Sequence, residues 1–205
     1  MIDKSLPFYS VVLCKKDTEN YPHYSLPEGY SFSLYRAGDE ESWAELECSV
    51  GQFDSQEKAL AGFRDQFVNG QRLKVEERMV FVRNPNGKCV ATASLWDGDN
   101  FGEILPRFHW LVVSDECVGL GIAKALFTRL FDMYNELGFG GFVYLITATH
   151  YYPAIGIYKK FGFDFYRGER SPFGHIDDEK FATQNPKAIE LIESKLLEYK
   201  KSANA

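Results

Sequence analysis

The most constraining feature of this chain is the run of residues from Phe108 to Gly162. An apolar strand pattern opens it, and a polar turn containing Gly119 and Gly121 follows. Residues 119–137 are then predicted as the strongest helix, because apolar side chains recur at helical spacing from Ile122 to Leu137. A second apolar strand pattern and a short helical pattern complete the run. Two strand-then-helix units in succession predict a fold that combines a sheet with helices.

The rest of the chain also alternates strand and helix patterns, and Asn86-Gly87 supplies the turn of a clear hairpin. The predicted strands cover residues 6–14, 30–35, 79–83, 88–96, 106–113, 142–147 and 163–166. We expect a single α/β (α+β) domain with a mixed, mostly antiparallel sheet flanked by helices. Its parts are an N-terminal strand or arm (1–29), a core (30–167), and a loop with a C-terminal helix (168–205).

Three further helices are predicted from their capping chemistry. Asp39 is the expected N-cap of the first, because a short acidic side chain accepts the free amide hydrogens of a first turn. Asp54 is expected to start the second, with Glu57 as a capping-box partner and Gly70 as the end. Asn185-Pro186 predicts the start of the C-terminal helix after a loop over 171–184.

Composition limits the classes of partner and compartment. The chain has 205 residues and a net charge of −6, which argues against a nucleic-acid backbone as the main partner. Its four cysteines, Cys14, Cys48, Cys89 and Cys117, form no CxxC pair, so no metal site is expected and a reducing compartment is favoured. No signal-peptide pattern and no apolar run of about 20 residues is visible, so we expect a cytoplasmic protein that does not enter a membrane.

The glycine turn before residues 122–137 is a candidate anion site. The first turn of a helix has unpaired amide hydrogens and a partial positive charge, and glycine allows a phosphate to approach the backbone. Two common phosphate motifs do not fit: no P-loop string is present, and Lys124 stands where a dinucleotide fingerprint needs Gly or Ala. The pattern Gly119-x-Gly121 alone is equally typical of a tight strand–helix connection.

A resemblance distinguishes these readings. Residues 113–123, Val-Ser-Asp-Glu-Cys-Val-Gly-Leu-Gly-Ile-Ala, resemble the acetyl-CoA pyrophosphate loop of the GNAT superfamily of N-acetyltransferases. Residues 154–163, with Ala154, Tyr158 and a final Gly-Phe pair, resemble the later Ala-x-x-Leu-Tyr-x-x-x-Gly-Phe signature of that superfamily. The order of elements over residues 30–166 is similar as well. The resemblance implies a GNAT fold, an acetyl-CoA acyl donor at a splayed strand pair, no metal, and direct attack of an amine on the thioester.

The same resemblance implies two groups of cofactor-binding residues. The backbone of one strand segment would pair with the pantetheine arm, namely at Leu111, Val112 and Val113. The first turn of the following helix and its loop would hold the pyrophosphate, namely Val118, Gly119, Leu120, Gly121, Ile122, Ala123 and Lys124. The family often has Arg or Gln at the start of this loop, whereas Glu116 and Val118 stand there in this chain.

Tyr158 and His109 are the predicted catalytic residues. Tyr158 falls on the tyrosine of the later signature, and a phenol with a pKa of about 10 can protonate a departing thiolate whose thiol has a pKa of about 8.5. His109 is the leading candidate for the base and is expected to share a strand face with Leu111 and Val113 by alternation. Glu103 and His150 are weaker candidates for the same role.

Two other functions are compatible with the sequence. A non-catalytic module of the same fold would bind acyl-CoA as a regulator, and a protein-interaction domain would use the C-terminal helix as its contact face. The acceptor of an enzyme would be a small-molecule or peptide amine. An additional N-terminal strand and a C-terminal helix are also compatible with a homodimer.

Overall fold

The computed structural model of the protein describes residues 3–69 and 74–203. These residues form seven strands: β1 (Ser10–Lys15), β2 (Ser31–Leu34), β3 (Met79–Arg83), β4 (Cys89–Gly98), β5 (Leu105–Val113), β6 (Val143–Ala148) and β7 (Asp164–Phe165). They also form six α-helices: α1 (Asp39–Ser49), α2 (Gln56–Phe63), α3 (Val75–Arg78), α4 (Ile122–Glu136), α5 (Tyr152–Lys160) and α6 (Asp178–Ala203). A π-helical turn, Arg64–Val68, follows α2, and short 3-10 turns cover Asp115–Cys117 and Thr149–Tyr151.

Contacts group these elements into two compact units. The first unit comprises Met1–Asn20, Gly98–Leu105 and Gly141–Ala205. The second unit comprises Tyr21–Asp97 and Pro106–Gly140. The expectation of a single domain stays a prediction.

The second unit contains the sheet order β2–β3–β4–β5. β3 pairs antiparallel with both β2 and β4, which confirms the predicted hairpin. Gly87 adopts φ +79° at its turn, and the Asn84 side-chain oxygen accepts the amide hydrogens of Asn86 and Lys88 at 3.0 Å each. The turn residues therefore fix the register of the two strands.

β5 connects this sheet to α4. Its Phe108 ring packs edge-to-face against Phe127 and Phe131 of α4, with ring centroids 5.1 and 4.9 Å apart. Apolar side chains of α4 thus cover one face of β5, as their helical spacing predicts. The predicted start at residue 119 is wrong, because Gly119 and Gly121 adopt positive φ and α4 begins at Ile122. Val112 instead packs into a cluster formed by α1 and α2. β5 is therefore covered on both faces. Phe108 contacts α4, and Val112 contacts the cluster of α1 and α2.

We call the cluster under α1 and α2 the aromatic core. Its centre is the fully buried Trp43 of α1. Four rings surround this indole with centroid distances of 5.3 to 5.8 Å, namely Phe53, Phe63, Phe67 and Trp110. Each buried aromatic ring removes a large apolar area from water, so this cluster stabilises the packing of α1 and α2 on the sheet.

The first unit contains the sheet order β6–β1–β7, with β1 antiparallel to both neighbours. Its core is formed by Val12, Tyr144, Phe173 and Phe181. α5 and α6 lie close together here, because a β-carbon built on Gly156 would meet Leu196 of α6 at 3.2 Å. Glycine at this position therefore permits the close approach of the two helices.

The predicted starts of α1 and α2 are wrong by one or more residues. Asp39 lies inside α1, after Gly38 as the N-cap, and its carboxylate instead accepts the Arg36 amide hydrogen and forms a 2.6 Å ion pair with Arg83. For α2 the N-cap is Ser55, whose side chain accepts the amide hydrogen of residue 58. Asp39 is thus used by partners outside α1, whereas Asp54 forms a 3.0 Å ion pair with Lys58 of α2 instead of capping the helix. The predicted end at residue 70 lies outside the described residues.

The C-terminal helix is also longer than predicted. α6 begins at Asp178, where the Asp177 side chain accepts the amide hydrogen of Lys180 at 2.7 Å, and it continues through Pro186. Asn185 does not cap a helix, because its side-chain amide donates to the Tyr166 carbonyl at 2.9 Å. Tertiary contacts of α6 therefore outweigh the loss of one helical hydrogen bond at the proline.

The fold class is confirmed. Every strand pair whose register the structure gives is antiparallel, and helices pack against the strands of each unit. This is a mixed α/β architecture with a mostly antiparallel sheet flanked by helices. None of the helices in the described part of the chain has a stretch long and apolar enough to cross a membrane.

Candidate active site

The glycine turn between β5 and α4 is open to solvent. Gly119 and Gly121 adopt φ values of +88° and +82°, which side-chain-bearing residues rarely adopt. No heavy atom outside the immediate neighbours lies within 4 Å of a β-carbon built on either residue. Glycine is therefore required for the backbone conformation, and the space beside both residues is accessible to a ligand.

The first turn of α4 keeps its amide hydrogens available. α4 starts after Gly121 with no side-chain cap and no acidic residue in its first turn. Lys124 N and Ala125 N donate to the Gly121 carbonyl at 3.0 and 3.1 Å, which leaves the preceding amides of Ile122 and Ala123 without an intrahelical acceptor. This first turn can bind an anion.

The first turn of α4 carries one positively charged side chain. Lys124 is half-buried, and its Nζ lies 5.2 Å from the centroid of the Tyr24 ring. The aromatic face attracts the ammonium group and keeps it beside the first turn of α4. Glu116 and Val118 are exposed. Lys124 is thus the basic side chain that this part of the chain offers to an anion.

β5 has a backbone irregularity at Trp110, where φ is +48°. Within the described residues Trp110 is the one non-glycine residue at positive φ, and an aromatic side chain makes such a conformation unfavourable. The irregularity breaks the strict alternation of β5. Val112 packs in the aromatic core, and His109 lies 6.5 Å from Phe67 of the same core. The expectation that His109 shares a face with Leu111 and Val113 is therefore wrong.

Gln66, in the π-helical turn after α2, connects His109 with Trp110. The Trp110 Nε1–H donates to Gln66 Oε1 at 2.7 Å, and His109 Nε2 lies 2.9 Å from the same oxygen. The Gln66 carbonyl accepts the Nε1–H of Trp96 at 2.9 Å. Because an indole N–H only donates, the atom it meets must be the carboxamide oxygen. His109 Nε2 must then carry the hydrogen, and His109 Nδ1 carries the lone pair.

His109 is held in its neutral form. Burial, with additional contributions from Arg107 and Arg78, shifts the pKa of His109 well below its ordinary value. At neutral pH its Nδ1 is therefore unprotonated, and the lowered pKa makes this nitrogen a weaker base than an ordinary imidazole. Sequence patterns did not identify Gln66, because nothing in residues 56–68 distinguishes a π-helical turn from a continued α-helix. A π-helical turn together with a strained residue is typical of functional sites.

Tyr158, the other predicted catalytic residue, lies on α5 in the first unit and is buried. Burial raises the pKa of Tyr158, and the neighbouring Tyr151 adds to this rise. The phenol is therefore protonated at neutral pH, which is the state that a general acid needs. Its predicted role stays a prediction, because Tyr158 and the glycine turn belong to different units.

The two weaker candidates for the base have other environments. His150 Nε2 lies 2.8 Å from the Leu6 carbonyl oxygen, so this nitrogen acts as a donor. Glu103 is exposed on the segment between β4 and β5. Within the described residues, no three His, Cys, Asp or Glu side chains are grouped closely enough to hold a metal ion.

Comparison with known proteins identifies the family of this chain. A family model described as Acetyltransferase (GNAT) family matches residues 33–163, more than half of the chain. The chain belongs to this family. The resemblance seen in the glycine turn and in residues 154–163 is thus confirmed. Among curated proteins, no sequence is similar enough to count as a relative.

Solved structures show the same fold at low sequence identity. A GCN5-related N-acetyltransferase from Sphaerobacter thermophilus superposes with a TM-score of 0.61 at 20% identity, over 77% of this chain and 48% of that one. A GNAT-family acetyltransferase from Colwellia psychrerythraea gives 0.58 at 13% identity, over 78% and 54%. A tandem GNAT protein from the clavulanic acid biosynthesis pathway gives 0.55 at 15%, over 80% and 52%. This chain spans about half the length of these GNAT structures.

Proposed function

We propose that this GNAT family member is an acyl-CoA-dependent N-acyltransferase that transfers an acetyl group from acetyl-CoA to an amine. The observation that carries the proposal is the glycine turn at the end of β5, followed by the uncapped first turn of α4. Two phosphates carry negative charge, and this turn offers backbone amides, a helix N-terminus and Lys124 to them.

The direction of β5 determines where the pantetheine arm and the thioester of acetyl-CoA would lie. With the pyrophosphate at residues 118–124, the pantetheine arm would run back along the backbone of Leu111, Val112 and Val113. Val112 is buried, whereas Leu111 and Val113 are half-buried. The backbone of this segment can therefore form hydrogen bonds with the ligand while the Val112 side chain packs in the aromatic core. The thioester end of the arm would then lie towards Trp110 and His109.

The proposed chemistry is direct transfer. The amine nitrogen attacks the thioester carbonyl carbon, a C–N bond forms, and the C–S bond breaks. His109 Nδ1 removes the proton of the attacking amine, either directly or through a water molecule. Tyr158 donates its phenolic hydrogen to the departing thiolate, so that the products are an amide and coenzyme A with a free thiol. Small-molecule and peptide amines are both candidate acceptors.

The test is release of the coenzyme A thiol from acetyl-CoA in the presence of a panel of amines, combined with the melting temperature of the protein. An enzyme shows a higher melting temperature with acetyl-CoA and amine-dependent thiol release. A higher melting temperature without thiol release on any amine would instead indicate a regulatory acyl-CoA-binding module. No change in melting temperature would refute both functions. A cytoplasmic location and a homodimer stay predictions.

A further inference from the structure

Residues 21–24, which we call the 21–24 segment, lie along α4 in the second unit. They precede residues 33–163, which the GNAT family model matches. The Tyr21 ring stacks on Phe131 of α4 with the centroids 4.5 Å apart, and the Tyr21 hydroxyl donates to the Asp132 carboxylate at 2.7 Å. These two contacts attach the beginning of the segment to the helix.

Thr128 attaches the end of the segment to the same helix. Its Oγ1 accepts the Tyr24 amide hydrogen at 3.1 Å. The same oxygen lies 3.1 Å from the carbonyl oxygens of Pro22 and Lys124, which share its one hydrogen. Thr128 is buried, so these hydrogen bonds are shielded from water. The backbone at Tyr24 is therefore held one helical turn from Lys124.

The partly exposed ring of Tyr24 reaches back from this anchor to Lys124. Its centroid lies 5.2 Å from Lys124 Nζ, which is within the distance of a cation–π interaction. Among the described residues, no carboxylate forms an ion pair with Lys124. The charge of this side chain is therefore attracted by an aromatic face and is not neutralised by a carboxylate.

The position of the ammonium group matters for an anion at the glycine turn. Lys124 is the one basic residue among the first four of α4, residues 122–125. A lysine side chain has a flexible four-carbon stem, and an anion that binds its ammonium group must overcome the loss of that freedom. A side chain that is already held near the site loses less freedom on binding, so the anion is bound more tightly.

We propose that Tyr24 is a positioning residue of the coenzyme A site, which holds the Lys124 ammonium group where it binds the pyrophosphate. The inference rests on the proposed function, since it concerns the same anion site. Tyr24 acts through Lys124, and the hydrogen bonds of Thr128 keep Tyr24 in place. The 21–24 segment is then part of the cofactor site, although it lies before the residues that the family model matches.

Calorimetric titration with coenzyme A tests this role without any turnover. We expect Tyr24→Leu to weaken coenzyme A binding ~5-fold, about the size of one cation–π interaction. Tyr24→Phe keeps the ring and should bind within about twofold of the wild type. Tyr199→Leu, the same substitution at an exposed tyrosine of the first unit, should leave the affinity unchanged. Tyr24→Met is the second non-aromatic variant if Tyr24→Leu does not fold.

A double-mutant cycle separates positioning from a general disturbance of α4. Lys124→Gln alone should weaken coenzyme A binding ~10-fold. In that background Tyr24→Leu should have no further effect, because the ammonium group that the ring holds is gone. If Tyr24→Leu weakened binding equally in both backgrounds, or left it unchanged in the wild-type background, the positioning role would be overturned.

Dephospho-coenzyme A identifies the phosphates that Lys124 binds. This probe keeps the pyrophosphate and lacks the phosphate on the ribose. Tyr24→Leu should weaken its binding by the same factor as it weakens the binding of coenzyme A. Equal affinities of the wild type and Tyr24→Leu for dephospho-coenzyme A would assign Lys124 to the ribose phosphate and overturn its assignment to the pyrophosphate.

Thiol release separates this inference from the proposed function. Coenzyme A binding that depends on Tyr24 through Lys124, without thiol release from acetyl-CoA on any amine, would support the positioning role and refute the transferase. Amine-dependent thiol release, with a coenzyme A affinity that is independent of Tyr24, would refute the positioning role and leave the transferase. A wild-type protein that does not bind coenzyme A would refute both.

Discussion

Two helices of the second unit begin in the same backbone conformation and differ in what they leave open. α1 starts after Gly38 at φ +100°, and α4 starts after Gly121 at φ +82°, both without a side-chain cap. The first turn of α1 contains Asp39, Glu40 and Glu41, whereas that of α4 contains no acidic residue. Because both backbones offer amide hydrogens, the side chains decide whether a negative charge comes from the protein or from a ligand.

The acidic residues of α1 use the positive end of their own helix. Glu40 accepts the Gly38 amide hydrogen at 2.8 Å and the Tyr35 hydroxyl hydrogen at 2.6 Å, and these bonds lower the pKa of the Glu40 carboxyl. The corresponding region of α4 has Lys124, whose charge adds to that of the helix end. The α4 start is therefore the proposed anion site, whereas the amide hydrogens at the α1 start are bonded to acidic side chains of the protein itself.

Introducing an acidic residue into α4 should have the largest effect. We expect Ala123→Glu to weaken acetyl-CoA binding ~100-fold, because the new carboxylate would repel the pyrophosphate and compete for the same amides. Since an acidic residue stabilises a helix N-terminus by about 0.3–1 kcal/mol, the melting temperature should not fall. Calorimetric titration with acetyl-CoA measures the affinity.

The neutral variant Ala123→Gln controls for the size of the new side chain. It should bind acetyl-CoA much more tightly than Ala123→Glu does. Equal affinities of the two variants would mean that the charge at the α4 start does not determine acetyl-CoA binding. The acidic residues of α1 would then not explain why the two helix starts differ.

A substitution at Tyr158 should have the opposite outcome: turnover is lost, whereas acetyl-CoA binding at the α4 start is retained. We expect Tyr158→Phe to lower kcat ~100-fold, because the departing thiolate loses its proton donor, with the acetyl-CoA affinity changed by less than about twofold. Steady-state kinetics and calorimetric titration measure the two quantities. Tyr152→Phe, on the same helix with its ring facing Tyr199, is the matched control and should keep full activity. Normal turnover in Tyr158→Phe would remove Tyr158 from the mechanism.

The two N-cap glycines allow a matched test of the backbone. Gly38→Ala and Gly121→Ala should each destabilise the protein by about 1 kcal/mol, because both residues have positive φ and a β-carbon meets no neighbour at either site. Gly121→Ala should in addition weaken acetyl-CoA binding ~10-fold, whereas Gly38→Ala should not. Thermal unfolding and calorimetric titration give both numbers for each variant. If both variants lost acetyl-CoA affinity to the same extent, the loss would follow from general destabilisation of the protein and not from the backbone of the glycine turn.

Much of this arrangement follows from short sequence patterns. The hairpin at Asn86-Gly87, the amphipathic α4 and the glycine turn depend on local conformational preferences, so the sequence alone predicts them correctly. The starts of α1, α2 and α6 were predicted less well. There the capping side chains Asp39 and Asn185 bond to residues that are distant in the sequence or outside the helix, and local rules do not contain this information.

The surroundings of His109 could not be predicted for a related reason. Residue types alone identified His109 as a candidate, but its partner Gln66 lies in the π-helical turn and also bonds to Trp110, the irregular residue of β5. Both features are departures from regular secondary structure, and periodicity detects only regular structure. The role of Tyr158 came from family resemblance, and its test is the kinetic experiment above.

The smallest expected effect is the contribution of His109 to the pH dependence of stability, because the charge of this side chain depends on pH. The folded protein lowers the pKa of His109, so unfolding is accompanied by proton uptake below the unfolded value of about 6.5. His109 therefore has no effect on the pH dependence of stability above pH 7, and its contribution is lost as the pH falls through 6.5 towards the folded pKa. Relative to His109→Gln, the wild type should lose about 1 kcal/mol of unfolding free energy between pH 7.5 and 5.5.

Urea unfolding of both proteins at the two pH values measures this difference. The other histidines, His23, His150 and His175, are present in both proteins, so their titration cancels in the comparison. A difference between the two proteins that is the same at both pH values would mean that His109 accepts a proton as easily in the folded protein as in the unfolded chain. His109 would then keep its ordinary pKa of about 6.5, and the inference that the folded protein holds it neutral below that pH would be wrong.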